Sequence, residues 1–389
     1  MVRLQSITTF FATHGNFRKS QRTTLAALVW ALIRQPLLGI AAMGHSLAMA
    51  QTTSAKHAIK RVDRFLGNTR IDLEVACGDL IATVIGSAKE VHLTLDWTDP
   101  KTKDGRFQTL SCNVRAHGRA LPIAWITVPK VKLKHHMREY EHALCTRVAQ
   151  LIPSSCHVIL LADRGFATVE FFRVLDALGW DWVIRSKGNI LVEIENRWLP
   201  LLLLGKTRPT TLDTLMRYGK STKGGTYAGR LVVYADSRHA DPWFLLVSTG
   251  IADRSWGQIV ATYGQRFTCE ESYKDQKNDP FAGFHRDCVK LGTADRWDRL
   301  WLVFAWAYYG LNIAGWSVEV RGDARNWRAN TEKKRTHALW RFAAPAARNE
   351  RKKWPERLPI QLKGSKNWGS LSHVLVNESL CRFGRKRSR

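Results

Sequence analysis

The chain has 389 residues, 45% of them hydrophobic, which is room for two or three domains and a sizeable core. Its 60 Lys and Arg against 33 Asp and Glu give +27 at pH 7, an excess that points to a polyanionic partner, nucleic acid being the usual one. Seven scattered cysteines without a Cys-x-x-Cys pair argue against a zinc site or a disulfide framework, and a reduced, cytoplasmic setting fits.

The opening stretch "MVRLQSITTFFATHG" lacks a continuous apolar run, so no secretory leader is expected. Residues 1–88 read as helical. Leu25, Leu28, Val29, Leu32 and Ile33 recur at helical spacing until Pro36 ends the segment. A second helix is expected from Leu37 to Met49. A third begins after Thr53 or Ser54 and ends near Gly67, with Ala55, Ile59, Val62 and Leu66 on its apolar face. Three short helices, the last basic, fit a helix-turn-helix-like DNA-binding domain with Lys56, Lys60 and Arg61 as contacts. A small bundle with a solvated basic face is the alternative.

The pattern changes at residue 89. "VHLTLDW" alternates, with His92, Thr94 and Asp96 on one side. "FQTLSCNVR" and "LPIAWITV" follow as strands, then a helix near 138–152. "HVILLAD" is a continuous apolar run ending at Asp163, as a strand covered on both faces should be. A helix near 167–178 leads to the strand "WDWVIRS". This order, over 89–180, is that of a ribonuclease H-like α/β core. Residues 181–250 read as a β-rich insertion, through "ILVEIENRWLPLLLL", "YAGRLVVYAD" and "DPWFLLVST". The core resumes over 251–320, with a helix through "SWGQIVATYGQRF" and an apolar one over 296–316, too short to span a membrane comfortably. Residues 321–389 hold 19 Lys and Arg against 5 Asp and Glu, a surplus of 14, interleaved with Trp327, Trp340, Trp354 and Trp368. Aromatics among base suggest docking on DNA or on a second subunit.

Three carboxylates stand out by position. Asp96 lies on the polar face of the first core strand, Asp163 ends the fourth, and these strands are neighbours in such a sheet. Glu270 lies on a later helix. With residues 263–277 taken as one helix, Tyr263, Arg266, Glu270 and Lys277 fall within about 60° of one another, on a stripe continuing an apolar face. Glu271 falls about 100° away from Glu270. A buried stripe of this composition without a function would be unfavourable. Converging carboxylates repel unless neutralised, and two Mg²⁺ ions would do so and serve an in-line displacement at phosphorus. Mn²⁺ is the expected substitute.

"YGQRFTCEESYKDQK" fits Tyr-x₂-Arg-x₃-Glu-x₆-Lys without a gap. With "TLDWTD" and "LLADRGF", it resembles the bacterial insertion-sequence transposases that carry this signature, a DDE triad and a ribonuclease H-like core with a β-strand insertion. The resemblance covers about residues 20–320. It departs at Phe267, where Trp is more usual, at Cys269, where an aliphatic residue is, and at Tyr273, where Phe is common. It implies that Asp96, Asp163 and Glu270 are catalytic and hold metal. It also implies that Tyr263, Arg266 and Lys277 grip phosphates, and that Trp243 stacks on a base flipped out of the duplex. Packing beside Phe244 and Leu246 is the alternative for Trp243. The implied reaction nicks double-stranded DNA at a terminal inverted repeat. The freed 3′-hydroxyl then closes a hairpin, water opens it, and the end joins target DNA within a homodimeric paired-end complex. A structure-selective nuclease or a non-catalytic repressor would be the competing functions.

Overall fold

The computed structural model describes residues 4–99, 105–206, 210–219, 225–236, 241–278, 283–320, 322–327, 331 and 338–348. Five helices come first: α1 (Leu4–Thr13), α2 (Lys19–Arg34), α3 (Ile40–Gln51), α4 (Ala55–Leu66) and α5 (Leu73–Ile85). Helix α2 stops where Gln35, the residue before Pro36, turns extended. Ser54 caps α4, its side chain accepting from the His57 N–H. These helices share one hydrophobic core with the rest of the chain. Phe11 meets Trp306 edge-on at 5.0 Å, and Arg299 Nε donates to the Leu66 carbonyl at 2.6 Å.

The core follows as β1 (Glu90–Thr98), β2 (Phe107–Ala116), β3 (Arg119–Pro129), α6 (Met137–Leu151), β4 (His157–Ala162), α7 (Val169–Ala177) and β5 (Asp181–Arg185). The insertion supplies β6 (Leu191–Ile194), β7 (Arg197–Pro200), α8 (Leu201–Leu204), β8 (Thr210–Tyr218), β9 (Tyr227–Ala235) and β10 (Trp243–Val247). Helices α9 (Trp256–Gly264), α10 (Phe267–Lys277), α11 (Ala294–Val320) and α12 (Leu339–Arg348) complete it. All ten strands join one mixed sheet, in the order β3-β2-β1-β4-β5-β10-β9-β8-β6-β7. The first five strands give the arrangement expected of a ribonuclease H-like core. The insertion extends that same sheet, because β10 pairs antiparallel with β5.

Strand β4 is apolar from Val158 to Ala162 because both its faces are covered there. Ile159 and Leu161 join Ile259 and Tyr263 in one cluster, while Val158, Leu160 and Ala162 belong to the larger one. Strands β1 and β4 run parallel, and their last matched pair is Leu95 with Ala162.

Residues 256–277 do not form one uniform helix: Gln265 and Arg266 make i→i+3 bonds to Thr262 and Tyr263, and α10 starts after them. A tightened turn advances more per residue than an α-helix, so α10 is rotated from the uniform projection. Its buried residues are Cys269, Ser272, Tyr273, Asp275 and Gln276, and Glu270 is exposed. Upstream, Ile259 is buried but Trp256 is 44% exposed. Of the tail tryptophans, Trp340 is buried, 4.9 Å from Phe284, and Trp327 ends a short 3₁₀ turn. Trp354 and Trp368 lie outside the described residues. Among the described residues no helix is long and apolar enough to cross a membrane.

Helices α3 and α4 cross at Gly44, where an added Cβ would lie 2.5 Å from Ile59 Cγ1 and 2.7 Å from its Cα. Backbone cannot yield as a side-chain tip can. Gly44→Ala is therefore expected to lower stability by about 1–3 kcal/mol through overpacking. A urea midpoint unchanged from that of the parent would contradict this crossing.

Candidate active site

Asp96 and Asp163 each stand one residue beyond the Leu95–Ala162 pair, so the parallel register alone sets them side by side at the carboxyl edge of the sheet. Strand alternation turns Asp96 toward the same face as Thr94 and His92, and His92 Nδ1 bonds Gln265 Oε1 at 2.5 Å just before α10. In the turn after β4, the Gly165 N–H donates to Asp163 Oδ1 at 2.7 Å. Glu270 comes from the first turn of α10.

Arg266 sits among the three. Its guanidinium lies 4.0 Å from Asp96, 4.0 Å from Asp163 and 3.4 Å from Glu270. It also interacts with the Tyr263 hydroxyl, and its side chain is only 12% exposed. One cation therefore balances three crowded anions. Burial pushes the Asp96 carboxyl up to about 6; Arg266 opposes that shift, while Asp163 and Glu270 add to it. Burial likewise raises the Tyr263 hydroxyl, against the pull of Arg266.

The remaining signature and insertion residues gather around this centre unequally. Trp243, at the start of β10, is 8% exposed. It meets the Tyr263 ring edge-on at 5.2 Å and stacks on Phe267 at 5.6 Å. Arg266 in turn lies 5.6 Å from the Phe267 ring centre. Lys277 is two turns beyond Glu270, about 10 Å along the axis, with its ammonium 5.8 Å from the Tyr273 ring. Glu271 leaves the centre, pairing with Lys274 at 2.7 Å. Lys56 and Lys60 are exposed on α4, while Arg61 is half-buried and bonds Gln51 Oε1 and the Thr23 carbonyl.

Several residues that the sequence pattern did not single out hold α10 in place. Asp275 accepts from Arg119 Nε at 2.6 Å and from the Tyr308 hydroxyl at 2.7 Å. Ser272 Oγ accepts from the Ala120 N–H at 2.8 Å. The buried Arg286 joins Gln276 on α10 to Thr98 Oγ1 and the Asp99 carbonyl, at the end of β1. The only sequence signal for these pegs was polar residues at helical spacing in "SYKDQ", and that signal reads equally as a solvated face.

Among the described residues no group of three His, Cys, Asp and Glu side chains is drawn tightly enough to hold a metal ion. The chemistry of the donor set nevertheless suits one. Three carboxylates without sulfur or imidazole favour a hard, oxygen-seeking divalent cation. Their charge is met here by Arg266, whose planar fork can equally grip a phosphate.

Because its folded-state pKa is raised, the Asp96 carboxylate opposes folding at neutral pH, and the penalty fades as pH falls from about 6 toward 4. Asp96→Asn, in chelator, is expected to stabilise the protein by about 1–3 kcal/mol at pH 7.5 and by little at pH 4. Equal gains at both pH values, or a loss at pH 7.5, would mean that burial does not disfavour the Asp96 carboxylate.

A family model described as the transposase DDE domain matches residues 89–306, which span β1 through the first half of α11 and contain Asp96, Asp163, Arg266 and Glu270. No curated protein matches the chain. The match covers more than half of the sequence, and the chain belongs to the transposase DDE domain family.

Proposed function

We propose that this protein is a cut-and-paste DNA transposase that cleaves transposon ends and joins them to target DNA by metal-dependent phosphoryl transfer. The observation that carries this reading is the convergence of Asp96, Asp163 and Glu270 on Arg266, at the carboxyl edge of a parallel strand pair, in a chain with a +27 surplus. Two Mg²⁺ ions held by these carboxylates would activate the attacking oxygen and stabilise the leaving one. Asp96 and Asp163 are set by strand register and Glu270 by the pegs on α10, so the anionic cradle is rigid. Arg266 is the group best suited to a bidentate grip on phosphate beside the scissile bond. Tyr263 braces it from below, and Lys277, farther along α10, reaches the backbone on the flank.

The hairpin route assigns Trp243 to the flipped base. Its ring lies against Tyr263 and Phe267, beside the centre, so stacking a base there requires the aromatic cluster to open toward DNA. Lys56, Lys60 and Arg61 on α4, with the basic residues after α12, would supply sequence-independent contacts to the backbone of end DNA. A homodimer would pair two such ends.

Asp96→Ala, Asp163→Ala and Glu270→Ala are each expected to lower cleavage of DNA bearing the terminal inverted repeats by at least about a thousandfold, while end binding changes by less than about threefold. Glu271→Ala should keep most activity. Near-normal cleavage by any of the three would remove that residue from the triad. Nicks at branched DNA without hairpins would favour a structure-selective nuclease instead.

Trp243→Ala separates the steps. The first nick requires no unstacked base and should proceed at close to the parent rate. Base–aromatic stacking is worth about 1–3 kcal/mol, so hairpin closure should slow by about five- to a hundredfold, with nicked DNA accumulating. A time course on end-labelled DNA reads both species. Equal loss at both steps would make Trp243 a packing residue beneath Tyr263.

A further inference from the structure

The two aspartates are joined a second time, through side chains on the opposite face of the sheet. Trp97 follows Asp96 and so points to the opposite face. There its indole N–H donates to Glu141 Oε1 at 2.9 Å. Glu141 stands on α6 with its side chain only 2% exposed, and its other oxygen accepts from Arg138 Nη1 at 2.7 Å, one turn earlier. Arg138 Nη2 then donates to the Gly165 carbonyl at 2.8 Å. Gly165 is the residue whose N–H holds Asp163 Oδ1, and an added Cβ there would lie 2.9 Å from that oxygen. A chain of hydrogen bonds therefore runs from the residue after the first aspartate to the turn that fixes the second.

A carboxylate is an expensive means of merely filling this space. Burial raises the Glu141 carboxyl above its ordinary range, against the pull of Trp97 and Arg138. A well-packed apolar residue in place of a buried ionic group is often neutral or stabilising. What an apolar residue could not do is accept one bond from β1 and, through Arg138, set the turn after β4.

We infer that Glu141 is a positioning residue which, with Trp97 and Arg138, sets the spacing between the Asp96 and Asp163 carboxylates and thereby their ability to share a divalent cation. The inference rests on the reading of those two aspartates as a cation-binding pair. Outer residues that orient metal ligands commonly change metal affinity by about 10–100-fold when replaced.

The test is Mn²⁺ titration of the full-length chain without DNA, followed by electron paramagnetic resonance of the free ion. Glu141→Gln keeps the shape but not the charge facing Arg138, and Arg138→Gln cuts the next link. Each should weaken Mn²⁺ binding about tenfold or more. Leu144→Ala, a buried cavity variant one turn along α6, should lose comparable stability yet bind Mn²⁺ like the parent. Parental affinity in either Glu141→Gln or Arg138→Gln, while Asp96→Ala binds no ion, would overturn the relay and leave the carboxylate reading standing. Equal weakening in Leu144→Ala would also overturn it. Undiminished binding in Asp96→Ala and Asp163→Ala would instead overturn the reading beneath it. Arg138 is 37% exposed, so Arg138→Gln carries the test if Glu141→Gln fails to fold.

Discussion

Repulsion among three carboxylates at one end of a parallel strand pair is the constraint to which the surrounding structure answers. Register forces Asp96 and Asp163 together, since both follow the last matched pair of β1 and β4. Glu270 adds a third negative charge from α10. Arg266 meets all three at 3.4–4.0 Å, with Tyr263 and the Phe267 ring beside it. The signature Tyr, Arg and Glu can thus be understood as one electrostatic unit: two residues that place a cation and one that joins the anions.

The unit is only as rigid as the helix that carries it. Helix α10 buries Ser272, Asp275 and Gln276 against the sheet, and each finds a partner: the Ala120 N–H, Arg119 with Tyr308, and Arg286. Such directional bonds fix rotation and height more tightly than apolar packing does. The insertion contributes from the other side, where β10 extends the core sheet and brings Trp243 over Tyr263. The N-terminal helices share the larger hydrophobic cluster, and α4 is anchored to α11 through Asp63–Arg296 and Leu66–Arg299. Burial raises the Asp96 carboxyl, so the centre carries a desolvation cost that Arg266 partly offsets.

Much of this was legible in the sequence because the relevant signals are short-ranged and periodic. The alternation in "VHLTLDW" placed Asp96 on a polar strand face, and the unbroken apolar run "VILLA" marked β4 as central. The strand order followed, and with it the neighbourhood of the two aspartates. The Arg266–Glu270 pair was also readable, being a single helical turn. What failed was extrapolation across Gln265, where two i→i+3 bonds rotate α10 and put Glu270 at the rim. No local pattern announces such a turn. The long-range pegs were invisible for a related reason: Arg119 with Asp275 and Trp97 with Glu141 are separated by 156 and 44 positions. Only the folded sheet brings them together.

The central claim is that Asp96, Asp163 and Glu270 form a cation site on which Arg266 also converges. Anomalous diffraction from crystals soaked in Mn²⁺ tests it most directly. A peak is expected between the Asp96 and Asp163 carboxylates, within reach of Glu270, with the Arg266 guanidinium moved away from them. Carboxylates still gathered on Arg266, with manganese bound elsewhere or not at all, would contradict it.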